Sequence, residues 1–492
     1  NCKGSSMNLS KLNKNPVAWY TVGTILRQLT AIIMLPIYTQ YLSPEEYGIV
    51  GILAVILGVY ELFLGARFGA AIPKFFYDRE TPEQKYGLIS TALLSTIGMS
   101  IIGAAVFSAS APYLAEDFFE RPELTYALVA YGITLLTTSI EEYTLVFFRL
   151  EDKPFFFFVM SMAKLCMQLF LNIYFLVYLG MGVEGVIYSG VIASVFFAII
   201  SFIYTIGKCG LKFNTDEVKL LLVFTWPIWL SGFASLYITF VTNFLIKHFA
   251  SLEEVGFYHF ALKFSSLIAL LIWRPFHQWW QTERFKIARD ISDPKPIFSS
   301  AFILITTLMG IGAFGISTGV ETLIDIMADP AYLGATDIVP ILCLMTVFNQ
   351  LNFFLSFSFY KSEQTRALPK IRFFKAVLIT VTLIGFSYQW QLYGAVYALL
   401  LCQIVEFFTM YILSKKYYDQ GLPILTFLIM ISGTALAILG TISFISIDIS
   451  LWPRIGYLVG CLILYLSFVA LCLFVFTEHG KNVIGFTRRR WS

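Results

Sequence analysis

The stretch IFSSAFILITTLMGIGAFGISTG, residues 297–319, runs for 23 residues without one charged side chain. An α-helix needs about 20 apolar residues to cross the hydrocarbon of a bilayer, whereas a strand of a membrane barrel has about ten residues of alternating polarity. The stretch is too long and too uniformly apolar for such a strand. It therefore predicts a helix that spans a membrane.

Stretches of the same kind recur along the whole chain. With 58% hydrophobic residues, 13% charged residues and a mean hydropathy of +0.75, a soluble protein would expose more apolar surface than its core could hide. We predict an all-α integral membrane protein with about 14 transmembrane helices. The predicted spans are 16–40, 47–73, 86–110, 124–148, 155–178, 184–207, 219–247, 255–281, 297–319, 336–360, 369–389, 392–414, 423–446 and 452–477.

The distribution of Lys and Arg indicates which loops face the cytoplasm. If the chain changes side after each span, 26 of the 34 cations fall in one set of loops and tails. Three lie on the other side, Arg121, Lys247 and Arg454, and five lie within spans. Positive charge near a span resists translocation. The set of 26, together with both termini, is therefore predicted to be cytoplasmic.

A short motif occurs twice in the chain. Ser43-Pro44-Glu45-Glu46-Tyr47-Gly48 follows span one, and Ser251-Leu252-Glu253-Glu254-Val255-Gly256 follows span seven, 208 residues later. Both copies lie in an outward loop at the equivalent step of a six-span unit, so the two halves should share one orientation. The predicted organisation is a cytoplasmic tail (1–15), an N-terminal six-helix lobe (16–210), a C-terminal six-helix lobe (211–418), helices 13 and 14 (419–478) and a basic cytoplasmic tail (479–492).

Five segments of this chain resemble the polysaccharide (Wzx-type) flippases. They are Leu42–Gly48, Gly65-Ala66-Arg67-Phe68-Gly69, the Pro227-containing span seven, Glu254-Val255-Gly256-Phe257-Tyr258 and Asp329-Pro330-Ala331-Tyr332. The resemblance implies the multidrug/oligosaccharidyl-lipid/polysaccharide exporter superfamily, whose members have two six-helix lobes in a V around a central cavity. It also implies that an undecaprenyl-pyrophosphate-linked oligosaccharide, such as an O-antigen or capsule repeat unit, moves across the bacterial cytoplasmic (inner) membrane by alternating access. The partners it implies are membrane lipids, a glycan polymerase and other assembly proteins, but no nucleic acid.

Charged residues inside the spans are the candidate functional residues. A charge at mid-bilayer costs several kcal/mol and normally faces a bundle interior or a wet cavity. An arginine offers a fork of donors that matches phosphate oxygens. The candidates for binding the pyrophosphate are the cations Arg27, Arg67, Arg274, Lys164 and Lys263. The candidates for an ion pair or a coupling proton are Glu61, Glu142 and Glu406.

Each of these cations also has a structural interpretation. Arg27 could pair with Glu61 at similar depth, and the lysines are expected to pair with carboxylates more readily than to contact substrate. Either Glu141 or Glu142 could hold Lys164. The long side chains of Arg67 and Arg274 could instead reach the cytoplasmic headgroups. The segment from Trp279 to Lys295 carries Arg284, Lys286 and Arg289, and it predicts an interfacial extension that contacts anionic lipid.

The sequence shows no recognisable catalytic or nucleotide-binding motif. The longest outward loops, 111–123 and 320–335, carry no histidine, and no Gly-rich phosphate loop occurs. The four histidines, His248, His259, His277 and His479, lack metal-ligand spacing. We therefore do not expect an enzyme, such as a polytopic glycan polymerase or ligase. We expect no cofactor either, so that transport depends on the substrate gradient, a proton or sodium gradient, or the membrane potential.

A drug or cation extruder of the same superfamily is the main alternative. It predicts a cavity dominated by carboxylates. Spans one, two, four, five and eight of this chain instead carry five positive and three negative side chains. A structural scaffold would not need so many buried charges.

Overall fold

The computed structural model describes residues 34–64, 68–69, 71–444 and 451–476. Within these ranges the chain forms helices and no strands, which confirms the predicted all-α class. The α-helices that follow a helical stretch at 34–41 are α1 (Pro44–Leu64), α2 (Ala71–Tyr77), α3 (Pro82–Tyr113), α4 (Thr125–Leu150), α5 (Pro154–Ile173), α6 (Gly182–Cys209), α7 (Thr215–Phe249), α8 (Leu252–Ile268), α9 (Arg274–Asp290), α10 (Lys295–Met327), α11 (Val339–Leu355), α12 (Phe357–Lys361), α13 (Ala367–Tyr417), α14 (Ile424–Phe444) and α15 (Leu451–Phe476). Three π-helical turns occur at Leu114–Phe118, Tyr174–Tyr178 and Ala269–Trp273, and 3₁₀ turns occur at Pro122–Leu124 and Pro330–Ile338.

Eleven helical segments of the described ranges are long and apolar enough to cross a membrane. The prediction of a multi-pass membrane protein is thereby confirmed, while the number fourteen stays a prediction. One of the eleven segments, Ala367–Tyr417, contains two helices, because the backbone leaves the helical region at Gln391 (φ 50°, ψ −126°). This break lies between the predicted spans 369–389 and 392–414.

The described helices form two compact units, and the division falls within α7, between Phe240 and Val241. In the first unit, α4 packs against both α3 and α6, and Phe68, Leu88 and Phe147 belong to its buried core. In the second unit, α10 packs against α11 and α14, and Phe314 stacks on Tyr465 with 4.5 Å between ring centroids. The predicted lobe boundary at 210/211 stays a prediction.

The two copies of the repeated motif begin helices in similar ways. Ser43 accepts a hydrogen bond from the backbone N–H of Glu46 (3.2 Å), whose carboxylate accepts from the N–H of Ser43 (3.0 Å). This reciprocal pair is a capping box, which satisfies donors that a helix start otherwise leaves unpaired. Ser251 caps α8 by the same bond from the N–H of Glu254 (3.1 Å). The carboxylate of Glu254 instead accepts from the N–H of Leu392 (3.2 Å).

Each capping glutamate lies beside a residue of positive φ that precedes a later span of its own unit. In the first unit this residue is Gly182 (φ 54°), where an added Cβ would lie 2.6 Å from Oε1 of Glu46. In the second unit it is Gln391 (φ 50°), directly before Leu392. The offset between Gly182 and Gln391 is 209 residues, close to the 208 of the motif. The two units therefore share this contact between the motif and the start of a later span.

Ion pairs within each unit join loops that the charge distribution assigns to one side of the membrane. On the predicted cytoplasmic side, Lys212 contacts Glu83 (2.6 Å) and Lys295 contacts Asp419 (2.7 Å). On the predicted outer side, the buried Arg454 contacts Glu321 (2.7 Å) and Asp325 (2.6 Å) and so attaches the start of α15 to the end of α10. These ion pairs thus join loops that the sequence assigns to the same side, while the side that each set faces stays a prediction.

Candidate functional site

Lys164 lies in the middle of α5 and forms an ion pair with Glu141 of α4. Its Nζ donates to Oε2 of Glu141 over 2.6 Å, and the two side chains are 24% and 12% exposed. Of the two adjacent glutamates that could hold this lysine, Glu141 therefore does so. Because successive helical residues point about 100° apart, Glu142 faces elsewhere. Its Oε1 lies 3.1 Å from where a Cβ would sit on Gly69.

A cavity of about 260 Å³ adjoins the Lys164–Glu141 pair. It lies between α4, α5 and α6 of the first unit, and its polar lining includes Ser161, Gln168 and Ser201 besides the ion pair. Oε1 of Glu141 and Oγ of Ser161 are buried and have no hydrogen-bond partner in the described part of the chain. Buried polar atoms are nearly always hydrogen-bonded, so two unpaired ones beside a cavity are unusual.

Glu61 of α1 contacts α4 one helical turn away from this pair. Its Oε1 accepts a hydrogen bond from Oγ1 of Thr138 (3.4 Å). Arg27 and Arg67, the strongest candidates for an anion site in the sequence, lie outside the described residues. The proposed pairing of Arg27 with Glu61 therefore stays a prediction.

Glu406 of α13 lies in a polar network in the second unit, in which Oδ1 of Asn352 is buried without a partner among the described residues. Nζ of Lys375 donates to Oε2 of Glu406 (2.7 Å) and to Oε1 of Gln403 (2.5 Å). Nδ2 of Asn352 donates to the same oxygen of Glu406 (3.0 Å), and Nε2 of Gln403 donates to Oδ1 of Asn349 (2.9 Å). Sequence reasoning missed Lys375 because it counted this lysine among the loop cations. Its position six residues inside the predicted span 369–389 was the available signal.

Lys263 and Arg274 lie on the span that contains α8 and α9. Both side chains are exposed, and among the described residues neither has a carboxylate oxygen within 4.0 Å. Arg274 directly follows the π-helical turn Ala269–Trp273 and precedes Pro275. Since a proline has no N–H to donate, the π turn lies where the regular hydrogen-bond pattern of a helix is interrupted.

Part of the predicted interfacial extension is buried instead. Trp280 is fully buried, and Arg284 is 4% exposed. The guanidinium carbon of Arg284 lies 5.5, 5.3 and 6.0 Å from the ring centroids of Phe285, Phe357 and Tyr360. Arginine stacks well on aromatic faces, so Arg284 packs inside the unit rather than against lipid. The expectation that it contacts anionic lipid is therefore wrong.

Comparisons with known proteins agree with this architecture. Residues 37–281 match a family model described as "Polysaccharide biosynthesis protein". The fold is similar to that of the lipid II flippase MurJ in an inward closed conformation, with a TM-score of 0.72, 14% identity, and coverage of 92% of this chain and 99% of that one. No curated protein sequence matches the chain significantly.

Two multidrug transporters share the fold at lower similarity. One is an inward-facing MATE family transporter of the MOP superfamily, with a TM-score of 0.57, 14% identity, and coverage of 79% of this chain and 94% of that one. The other is the MATE multidrug transporter DinF-BH, with a TM-score of 0.55, 13% identity, and coverage of 86% of this chain and 98% of that one.

The chain thus shares its fold with a lipid flippase and with multidrug transporters. Residues 37–281 match the polysaccharide biosynthesis family model. The resemblance stated from the sequence is thereby confirmed.

Proposed function

We propose that the protein flips an undecaprenyl-pyrophosphate-linked oligosaccharide from the inner to the outer leaflet of the bacterial cytoplasmic membrane by alternating access. The observation that carries this proposal is the family match over residues 37–281, which links the chain to polysaccharide biosynthesis. The similarity in fold to a lipid II flippase supports it. The cargo is an O-antigen, capsule or similar repeat unit, and both termini lie in the cytoplasm.

The unpaired cations favour an anionic cargo. A charged side chain in a membrane span is costly unless it meets water or an opposite charge. Lys263 and Arg274 have no acidic partner among the described residues, and both are exposed on one span. A pyrophosphate could supply the opposite charge, because guanidinium and ammonium groups form strong hydrogen bonds with phosphate oxygens. Arg27 and Arg67, which lie outside the described residues, stay candidates for binding the pyrophosphate from the sequence alone.

The carboxylates of the spans argue against a cation extruder. A site for an organic cation needs a carboxylate that is not already neutralised. Glu141 and Glu406 are each paired with a lysine, at 2.6 and 2.7 Å. These two carboxylates are therefore already neutralised, which disfavours a cationic drug at either of them, while Lys263 and Arg274 are exposed. Coupling to a proton or sodium gradient or to the membrane potential is part of the proposal.

Lipid binding to purified variants tests the proposed anion site. The probe is undecaprenyl diphosphate, measured by native mass spectrometry of the detergent-solubilised protein. Arg274→Ala should weaken binding about tenfold, since a charge-assisted hydrogen bond contributes about 1.5–3 kcal/mol. Arg274→Lys keeps the charge but not the fork of donors, so its affinity should be intermediate.

The matched control is Arg289→Ala. Arg289 belongs to the same helix α9, but it is exposed and already pairs with Asp290 (2.6 Å). This variant should bind the probe as the unmodified protein does. Unchanged binding by Arg274→Ala would show that the pyrophosphate is held elsewhere. Equal losses in both arginine variants would show a nonspecific effect of charge.

A further inference from the structure

The cavity between α4, α5 and α6 offers polar atoms that the fold itself does not use. The whole residue Glu141 is 9% exposed, and one of its two carboxylate oxygens accepts a hydrogen bond from Lys164. The other oxygen, Oε1, is buried without a partner in the described residues, as is Oγ of Ser161. A buried acceptor left unpaired costs free energy, so it calls for a donor from outside the protein.

The charges of the cavity restrict what the donor can be. A free anion would meet the carboxylate of Glu141, and a free cation would meet the ammonium of Lys164, 2.6 Å from that carboxylate. An apolar molecule would leave Oε1 of Glu141 unpaired. A neutral molecule rich in hydroxyl groups fits both charges, because each hydroxyl can donate to a carboxylate and accept from an ammonium or amide N–H.

The remaining lining suits the ring of a sugar. Gln168 and Ser161 add an amide and a hydroxyl, while Leu165 and Phe197 provide apolar surface for the C–H faces. The volume of about 260 Å³ is just below the range of about 300–1,000 Å³ typical of sites for drug-sized ligands. It therefore accommodates one ring rather than an oligosaccharide.

We propose that this cavity is a saccharide subsite, in which Glu141, Lys164, Ser161 and Gln168 bind the hydroxyl groups of one sugar ring of the cargo. The inference rests on the proposed function and adds a second recognition element. The cations of the anion site recognise the pyrophosphate, which all such lipids share. The cavity recognises the glycan, which differs among them, and so contributes specificity.

The test compares lipids that differ only in the sugar. The probes are undecaprenyl diphosphate and its conjugates with N-acetylglucosamine, glucose and galactose, each measured by native mass spectrometry. The unmodified protein should bind at least one conjugate about tenfold more tightly than the bare lipid, as expected for one or two hydrogen bonds to charged groups. Equal affinity for all four probes would overturn the inference.

Two variants of Ser161 locate the effect in the cavity. Ser161→Phe fills the cavity and should abolish the preference for the conjugate without changing the affinity for the bare lipid. Ser161→Ala removes a hydroxyl that has no partner in the described residues, so folding should be unaffected and the preference should fall about threefold, the effect of one neutral hydrogen bond. The control is Ser432→Ala in α14, where the hydroxyl donates only to carbonyl oxygens of its own helix.

The two proposals fail in different ways. A preference that survives in both Ser161 variants would exclude the cavity as the saccharide subsite and leave the flippase proposal intact. Absence of binding to every probe by the unmodified protein would overturn the flippase proposal and the subsite together.

Discussion

Each unit of the protein has a lysine–glutamate pair within its predicted spans, Lys164–Glu141 in the first and Lys375–Glu406 in the second, and the two pairs differ in what surrounds them. In the second unit, the side chains of Lys375 and Glu406 are 15% and 12% exposed. Each of them also forms a hydrogen bond with an amide side chain, Lys375 with Gln403 and Glu406 with Asn352. In the first unit, Lys164 and Glu141 face a cavity, and Oε1 of Glu141 has no partner in the described residues. The first pair therefore adjoins a cavity that a ligand can occupy, whereas both charged groups of the second pair are held by further side-chain hydrogen bonds.

The difference between the two surroundings indicates two roles for a buried ion pair, one structural and one in ligand binding. A network that holds each charged group by several hydrogen bonds rigidifies the structure around it, because such bonds are strong in a low dielectric. A network that leaves a buried acceptor unpaired beside a cavity is less stable. Such a cost is common at binding sites, where a bound ligand donates the missing hydrogen bond. We therefore interpret the pair of the second unit as structural and the pair of the first unit as part of a binding site.

The largest expected effect is on stability, upon removal of each glutamate. Glu406→Ala leaves Lys375 buried without a countercharge, which should cost about 3–5 kcal/mol of unfolding free energy. Glu141→Ala should cost clearly less, because the cavity lets water solvate Lys164. Thermal unfolding in detergent measures both. The double variant Lys375→Met/Glu406→Leu should recover most of the stability lost in Glu406→Ala. Equal losses for Glu406→Ala and Glu141→Ala would contradict the different roles assigned to the two pairs.

A second effect concerns the backbone turns beside the two capping glutamates. Gly182 and Gln391 both have positive φ, a region that side chains other than glycine rarely adopt. Gln391→Gly should therefore stabilise the second unit by about 1 kcal/mol, within the cost of about 1–3 kcal/mol for such strain. Gly182→Gln should destabilise the first unit, since the new Cβ would lie 2.6 Å from Oε1 of Glu46. A lower melting temperature for Gln391→Gly would contradict the assigned turn.

The smallest effect is on the ion pairs that join loops on the predicted cytoplasmic side. The hydrogen bond from Lys295 holds the pKa of the Asp419 carboxyl below its ordinary value. A lowered pKa in the folded state gives stability that is present above the pKa of the unfolded state, about 3.9, and is lost as the pH falls through the folded value. Asp419→Asn should thus cost up to about 1 kcal/mol at pH 7, the range for exposed pairs, and progressively less as the pH falls through the folded value.

The pair Glu83–Lys212 is the counterpart for this test in the first unit. Here the acidic residue comes first in the sequence, whereas in Lys295–Asp419 the basic residue does. Glu83→Gln should show an equally small loss at pH 7, because its side chain is 80% exposed. A loss for Asp419→Asn that persists unchanged at pH 2 would mean that the effect does not arise from the charge of the carboxyl.

Much of the fold could be predicted from the sequence because the signals are local. Apolar length predicts spans, and a Ser followed three residues later by Glu predicts a capping box, as Ser43 and Glu46 form. The boundary between the two helices of α13 was also predicted correctly within two residues of Gln391.

The candidate site could be predicted only in part, because its contacts join residues far apart in the sequence. The sequence limited the partner of Lys164 to two adjacent glutamates, and only the orientation of α4 selects Glu141. Lys375 could not be distinguished from a loop cation by counting charges, since its burial depends on how α13 packs. Arg284 was misread for the same reason, because its aromatic partners Phe357 and Tyr360 come from a distant helix.

Movement of the cargo between leaflets is the most direct test of the proposed function. Purified protein is reconstituted in vesicles with an undecaprenyl-diphosphate-linked saccharide, and a membrane-impermeant oxidant reports the fraction of sugar exposed outside over time. We expect faster exposure with the unmodified protein and with Arg289→Ala than in protein-free vesicles, and a clearly smaller acceleration with Arg274→Ala. Acceleration by Arg274→Ala equal to that of the unmodified protein, or none by the unmodified protein itself, would contradict the account.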